Sequence, residues 1–315
     1  MCGSPPEASA FPVADLSIHP KIPLIFRPPQ TNKGLPTLSM ETLPTWIAVV
    51  ILGLIEGITE FLPISSTGHL LIPQNLGWLP RQSDLFSIVI QSGAVLAVVA
   101  VFADRVKSLA TSLSNPDTQS YLAKLTTAFV ITAVGGVLIK KLEIGLPETV
   151  APVAWATFIG AFVIFAIEAW RKNHKGEETI GWRVAIAVGL AQILAAVFPG
   201  TSRSGASILI AMALGAARPG ATEFSFLVGV PTLMAAGAYQ TFNVIQEGGG
   251  AKEDWAMLAL GTMVSAISAF LVVRWLVHFV QSHTFNGFAW YRLVMGTALL
   301  VWVAVEGEAV NQLAD

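Results

Sequence analysis

The chain has 315 residues, of which 54% are hydrophobic and only 12% are charged, and its formal net charge is −2. An average globular chain is about 25% charged, so this one lacks the polar groups to cover a soluble surface and reads as an integral membrane protein. With 18 Lys and Arg there is no basic face for nucleic acid, the single cysteine (Cys2) excludes disulfide frameworks and thiolate zinc sites, and the five histidines show no metal-binding spacing.

Residues 1–39 hold eight prolines and no apolar run of signal-peptide length. They read as a disordered extension, either a true flexible tail or sequence ahead of the native start, for which Met40 is the expected residue. The rest, 40–315, reads as one membrane domain. A membrane-crossing helix needs about 20 largely apolar residues. Six stretches meet that length, at 85–103, 120–139, 151–170, 224–245, 255–276 and 287–305. Two regions do not. Residues 43–78 carry a short apolar run, a polar knot and a second short run, and residues 184–217 repeat that arrangement around Pro199-Gly200-Thr201-Ser202-Arg203-Ser204-Gly205. Non-helical backbone survives at membrane depth only when it is buried in protein or lines a wet cavity. Both regions are therefore expected to be re-entrant helix hairpins.

The two hairpins also resemble each other. Gly53, Leu54 and Glu56 recur as Gly189, Leu190 and Gln192, and Leu62-Pro63-Ile64-Ser65-Ser66 recurs as Phe198-Pro199-Gly200-Thr201-Ser202, all 136 residues on. Phe86-Ser87 recurs as Phe224-Ser225, 138 residues on. The expected fold is an all-α polytopic membrane protein built as an inverted repeat, about 43–170 and 183–306. Each half has one re-entrant hairpin and three transmembrane helices; three is odd, so the second copy inserts upside down. Inverted repeats place their site near the midplane, where the broken helices meet. Seven loop cations (Arg105, Lys107, Arg171, Lys172, Lys175, Arg183, Arg218) fall on one side and four (Arg81, Lys140, Lys141, Lys252) on the other. The positive-inside rule then sets the first hairpin and the C-terminus outside the cytoplasm.

Glu56 and Glu60 stand at i and i+4, on one face of a helix in an otherwise apolar segment. Carboxylates there need a cation, a proton or a wet cavity, which makes them candidates for a site; the bland reading is a hydrogen bond across the bundle. Gly53 and Gly57 beside them leave room for a neighbouring helix. Pro63 should end that helix, and Ser65-Ser66-Thr67-Gly68-His69 opens the next one, where free N–H groups and a positive dipole end favour an anion. His69 is a candidate base for a serine, or itself a nucleophile. In the second knot Arg203 offers a planar fork suited to phosphate, between Ser202 and Ser204, with Gly200 and Gly205 freeing the backbone. Its bland reading is a structural pair with a glutamate. Carboxylates, hydroxyls, a histidine and an arginine together point to phosphoryl transfer assisted by a divalent metal.

Glu56-Gly-Ile-Thr-Glu60-Phe-Leu-Pro63-Ile-Ser65-Ser66-Thr67-Gly68-His69, paired with Pro199-Gly-Thr-Ser202-Arg203-Ser204-Gly205, resembles the undecaprenyl-diphosphate phosphatases, also called bacitracin-resistance proteins. The likeness runs over residues 40–315; residues 1–39 match nothing typical. The resemblance implies a bacterial inner-membrane enzyme that removes the terminal phosphate of a C55 polyprenyl diphosphate, recycling the lipid carrier for cell-wall synthesis. It also implies a divalent metal such as Mg2+ or Ca2+ and often a homodimer; the metal is expected on Glu56 and Glu60, and the loop charges set the site toward the periplasm. By motif position the resemblance carries over Glu56, Glu60, Ser66, His69, Ser202 and Arg203 as functional residues; Glu56, Glu60, Ser66, His69 and Arg203 are expected to be catalytic, and the two anion cradles are expected to bind phosphate through Ser65, Thr67, Gly68, Ser202, Arg203, Ser204 and Gly205. The nucleophile is expected to be Ser66 with His69 as base, since one helical turn separates them; attack by His69 or by metal-bound water stays open. A polyprenyl-phosphate transporter or flippase is the competing function, because broken helices in inverted repeats are also transporter architecture.

Overall fold

The computed structural model describes residues 43–142, 149–174, 176–251 and 253–312; the extension expected over residues 1–39 lies outside them. Among the described residues the regular structure is helical, apart from one isolated bridge between Glu177 and Ala216. Six helices among the described residues are long and apolar enough to cross a membrane: α3 (Asp84–Val101), α5 (Pro116–Lys141), α6 (Val150–Arg171), α9 (Arg218–Gln246), α10 (Trp255–Ser282) and α11 (Asn286–Gln312, apolar over Asn286–Val305). They are the six expected from the apolar runs, several of them extended by polar caps. Ser83 accepts a hydrogen bond from the Phe86 N–H, Asn115 from the Asp117 N–H, and Asp254 from the Ala256 and Met257 N–H groups. One helix was not expected: α4 (Ala103–Thr111), a short surface helix that buries only Leu109.

The two remaining regions are helix pairs. α1 (Thr45–Thr59) and α2 (Ser66–Asn75) form the first, α7 (Trp182–Val197) and α8 (Arg203–Ala213) the second. At 1.5 Å per residue even the 16 residues of α7 cover only about 24 Å, short of a hydrocarbon core of about 30 Å. The first helix of each hairpin packs chiefly on the other half. α1 lies against α10, and α7 lies against α5; α3 packs on α10 as α5 packs on α9; α3 meets α9 and α6 meets α11. Exchanging the two halves maps these strongest contacts onto one another, whereas the packing of α8 on α9, of α1 on α3 and of α6 on α8 has no such counterpart among the described residues.

Close packing without a hydrophobic driving force between helices requires small residues at the contact. A Cβ on Gly57 would lie 2.0 Å from the Ser268 hydroxyl and 2.3 Å from the Ser265 carbonyl oxygen of α10, so α1 approaches as only glycine allows. Gly53 and its counterpart Gly189 do the same against Gly261 and Ala128, at 2.7 and 2.8 Å. The first tip is held from below by Phe61, whose ring meets Phe226 of α9 edge to face at 5.0 Å. Trp46, Val137, Trp155, Leu271 and Trp290 stay exposed on the outer wall, where lipid replaces water.

Candidate active site

Each hairpin turns at a serine in the left-handed region. Ser65 (φ 73°) caps α2 and accepts from the Gly68 N–H at 3.5 Å; Ser202 (φ 70°) caps α8 and accepts from the Gly205 N–H at 3.1 Å. A non-glycine residue held there costs on the order of 1–3 kcal/mol, so the surroundings must enforce it. These caps correct the register read from sequence. Ser65 corresponds to Ser202, not to Thr201, because the second tip has one more residue between its proline and its cap. Gly200 (φ 95°) accommodates that insertion, and a Cβ on it would lie 2.6 Å from the Val153 carbonyl oxygen of α6. Consequently Ser66 of the first hairpin corresponds to Arg203 of the second.

The tips enclose a small cavity of about 100 Å3 lined by Glu60, Ser65, Ser66, Thr67, Gln91, Ala195, Gly200, Ser202, Arg203 and Leu233. The N-termini of α2 and α8 both contribute to it, so two positive dipole ends serve one space. At its centre is Glu60, which ends α1 and is buried. One of its oxygens accepts the Ser66 hydroxyl at 2.5 Å and the other accepts Arg203 Nη2 at 2.7 Å. The counter-charge that Arg203 needs is therefore Glu60. Arg203 Nη1 reaches the Gly229 carbonyl at 3.4 Å, while Nε is buried without a partner.

The other expected residues are placed as follows. Ser204 lies 3.1 Å from both the Glu60 and Leu62 carbonyl oxygens, and the Ser202 hydroxyl donates to Leu62 at 3.3 Å; both hydroxyls pin the second tip to the backbone of the first. Gly205 packs on Pro63, its missing Cβ 3.2 Å from the proline ring, and Gly68 is buried against Val153. Thr67 is exposed on the cavity rim. His69 departs from the expected pairing with Ser66. Its Nδ1 is 2.7 Å from the Ser65 carbonyl oxygen, its Nε2 is 2.6 Å from the Tyr291 hydroxyl of α11, and the two rings stack. With both ring nitrogens engaged there, His69 lies off the cavity, and the group that accepts the Ser66 hydrogen bond is Glu60. Gln91, on the cavity wall, and Arg292, buried behind the tips, are not among the residues singled out from the sequence. Each is a strongly polar side chain inside an apolar span, and that signal was present in the sequence.

Glu56 is fully buried one turn before Glu60, adjoins its carboxyl group, and has no hydrogen-bond partner on either oxygen. A buried carboxyl group left bare in this way is fit for a proton or a cation. Among the described residues no group of three His, Cys, Asp or Glu side chains gathers for a metal. A hard ion such as Mg2+ needs only one or two carboxylates when substrate phosphates supply further ligands, so the bare Glu56 carboxyl group beside Glu60 fits one.

The family described as bacitracin resistance protein BacA matches residues 49–298. The chain belongs to that family. BacA-family relatives named undecaprenyl-diphosphatase align over nearly their whole length. One from Xylella fastidiosa (strain 9a5c) is 48% identical over 255 residues, covering 81% of this chain and 97% of the relative. One from Rhizobium etli (strain CIAT 652) is 50% identical over 258 residues, covering 81% and 96%. One from Xanthomonas oryzae pv. oryzae (strain PXO99A) is 47% identical over 258 residues, covering 82% and 97%.

Proposed function

We propose that this multi-pass membrane protein hydrolyses undecaprenyl diphosphate to the monophosphate and phosphate, recycling the lipid carrier for cell-wall synthesis and thereby conferring bacitracin resistance. The observation that carries the reading is the Ser66–Glu60–Arg203 chain at the mouth of two converging helix N-termini. A nucleophile, a base within 2.5 Å of it and a fixed cation are the parts that phosphoryl transfer needs.

In this reading the Ser66 oxygen attacks the terminal phosphorus while its proton passes to Glu60. The P–O bond to the bridging oxygen breaks, and the lipid monophosphate leaves with the proton that Glu60 had taken, which returns Glu60 to its carboxylate form. Water then attacks the phosphoserine, Glu60 takes its proton, and phosphate departs as Ser66 regains a proton. Arg203 holds Glu60 in place, and its guanidinium charge at the cavity wall offsets the charge spread over the phosphoryl oxygens. Glu56 and Glu60 would hold the divalent ion, Mg2+ or Ca2+, which when bound neutralises diphosphate charge. The two halves form an inverted repeat in the bacterial inner membrane with the site open to the periplasm. This is supported by the exchange of the strongest helix contacts between the halves and by the loop-charge bias.

The test is phosphate release from a C55 diphosphate by the purified protein, with and without chelator. Release that chelation abolishes is expected. A lipid transporter without hydrolytic activity releases none, and that result would overturn the reading.

A further inference from the structure

Arg292, on α11, is among the largest fully buried side chains, at 1% exposure. Every donor on its guanidinium is used, and every acceptor is a backbone carbonyl. Nε donates to Thr157 at 3.2 Å, Nη1 to Pro63 and Thr201 at 3.1 Å each, and Nη2 to Ala156 at 2.8 Å and Gly200 at 3.1 Å. Pro63 belongs to the first tip, Gly200 and Thr201 to the second, and Ala156 and Thr157 to α6. One side chain thus joins both hairpin turns to a spanning helix. Room for it is made at Gly160 of α6, where a Cβ would lie 2.0 Å from Nη2.

Two physical consequences follow. The tips are non-helical backbone at membrane depth, and carbonyls there must find donors inside the protein. The Arg292 fork provides them, and it locks the two turns in one register. The second consequence concerns charge. The ion pairs among the described residues are Arg105–Glu223, Arg203–Glu60 and Arg218–Glu168. Arg292 has carbonyls for neighbours instead, which satisfy its hydrogens without cancelling its charge. An uncompensated cation in a bilayer protein is costly, and a neutral amide would have satisfied two of these carbonyls more cheaply.

We propose that Arg292 is a positioning residue of the phosphate site. It holds the tips that carry Ser65, Ser66, Ser202 and Arg203 in register from behind, and it leaves a positive charge there that the incoming diphosphate offsets without touching it. This rests on the reading of the cavity as a diphosphate site. It extends that reading to a residue outside the cavity wall.

The experiment measures binding of two unreactive lipids, a prenyl methylene-bisphosphonate and a prenyl phosphonate, to the purified full chain by calorimetry, alongside hydrolysis kinetics. Arg292→Gln should weaken the bisphosphonate by on the order of tenfold more than the phosphonate, the scale of one unit charge acting over roughly 10 Å at an effective dielectric of about 20. Arg292→Lys keeps the charge and loses the fork, so it should restore that discrimination while kcat stays low. If Arg292→Gln does not insert, Gly160→Ala displaces the fork from its seat and should lower kcat with discrimination retained. Equal weakening of both lipids by Arg292→Gln, unchanged kcat in Arg292→Lys, or unchanged kcat in Gly160→Ala would overturn the proposal. Failure of the unsubstituted protein to bind the bisphosphonate or to release phosphate would instead remove the diphosphate reading, a separate outcome.

Discussion

Both hairpins place a serine of positive φ at the start of their second helix, Ser65 and Ser202, and both use it to cap the glycine three residues on. From that shared frame the side chains diverge. Where the first hairpin has Ser66 the second has Arg203, where it has Glu56 the second has Gln192, and where it has Glu60 the second has Ala196. The spans behind them diverge likewise, with Gln91 facing the cavity from α3 while its counterpart Gly229 gives Arg203 a carbonyl from α9. A repeated backbone provides two anion-facing turns, and unlike side chains on it provide two jobs. The first hairpin carries the acids and Ser66, the nucleophile of the proposed reaction; the second carries the cation and the hydroxyls that tie the tips together.

Substitutions that erase this division test it, beginning with the largest expected effect. Glu60→Gln removes the base and strands Arg203. Hydrolysis should fall by about 10³-fold or more, within the range general bases contribute and beyond it where the arginine is also lost to the phosphoryl group. Breaking a buried pair also costs about 3–5 kcal/mol, which thermal unfolding in detergent would register. Near-normal turnover would mean the first hairpin does not hold the base.

Ser66→Ala should cost on the order of 10²- to 10⁴-fold, since a base and its nucleophile act as a unit. Acid quench with terminally labelled diphosphate should trap phosphate on residue 66 of the unsubstituted protein. A variant that keeps most of the rate would pass the attack to water activated by Glu60. Arg203→Lys retains the charge without the fork that spans Glu60 and Gly229, and a loss of about 10²-fold in kcat/KM is expected, below the full value of a transition-state arginine. Full activity would reduce Arg203 to a structural partner of Glu60.

His69→Gln sharpens the comparison within the first hairpin. His69 contacts Ser65 and Tyr291 rather than Ser66, so the loss should stay near tenfold, below the contribution of a direct general base. A loss as deep as that of Glu60→Gln would return the base to the histidine. The smallest effect is expected at Gln192, buried like Glu56 and, like it, without a partner for either polar atom. Gln192→Leu removes an unsatisfied amide worth about 1–3 kcal/mol of desolvation, so unfolding temperature should hold or rise with turnover unchanged. Glu56→Gln, in contrast, should abolish most activity. Equal effects at the two positions would erase the asymmetry.

Composition and the length of apolar runs determined much of this protein. They marked it as a membrane protein, located the six spans, and singled out two stretches too short to cross, because the bilayer sets element length and forbids unsatisfied backbone. The motif residues Glu56, Glu60, Ser66, Ser202 and Arg203 were legible for the same reason: polar groups in apolar sequence are costly and therefore conspicuous. What the sequence lacked was partnership. Spacing along the chain paired Ser66 with His69, one turn away, whereas the folded tips give Ser66 to Glu60 and draw His69 to Tyr291, 222 residues distant. It aligned the knots one residue out of register, because only the positive φ of Ser202 shows where the second helix begins. Arg203 met Glu60 across 143 residues and Arg292 met Pro63 across 229. Helical periodicity and hydropathy are local signals, so they fix which segments enter the membrane. Which side chain meets which is decided by how those segments pack, and only the tertiary structure holds that.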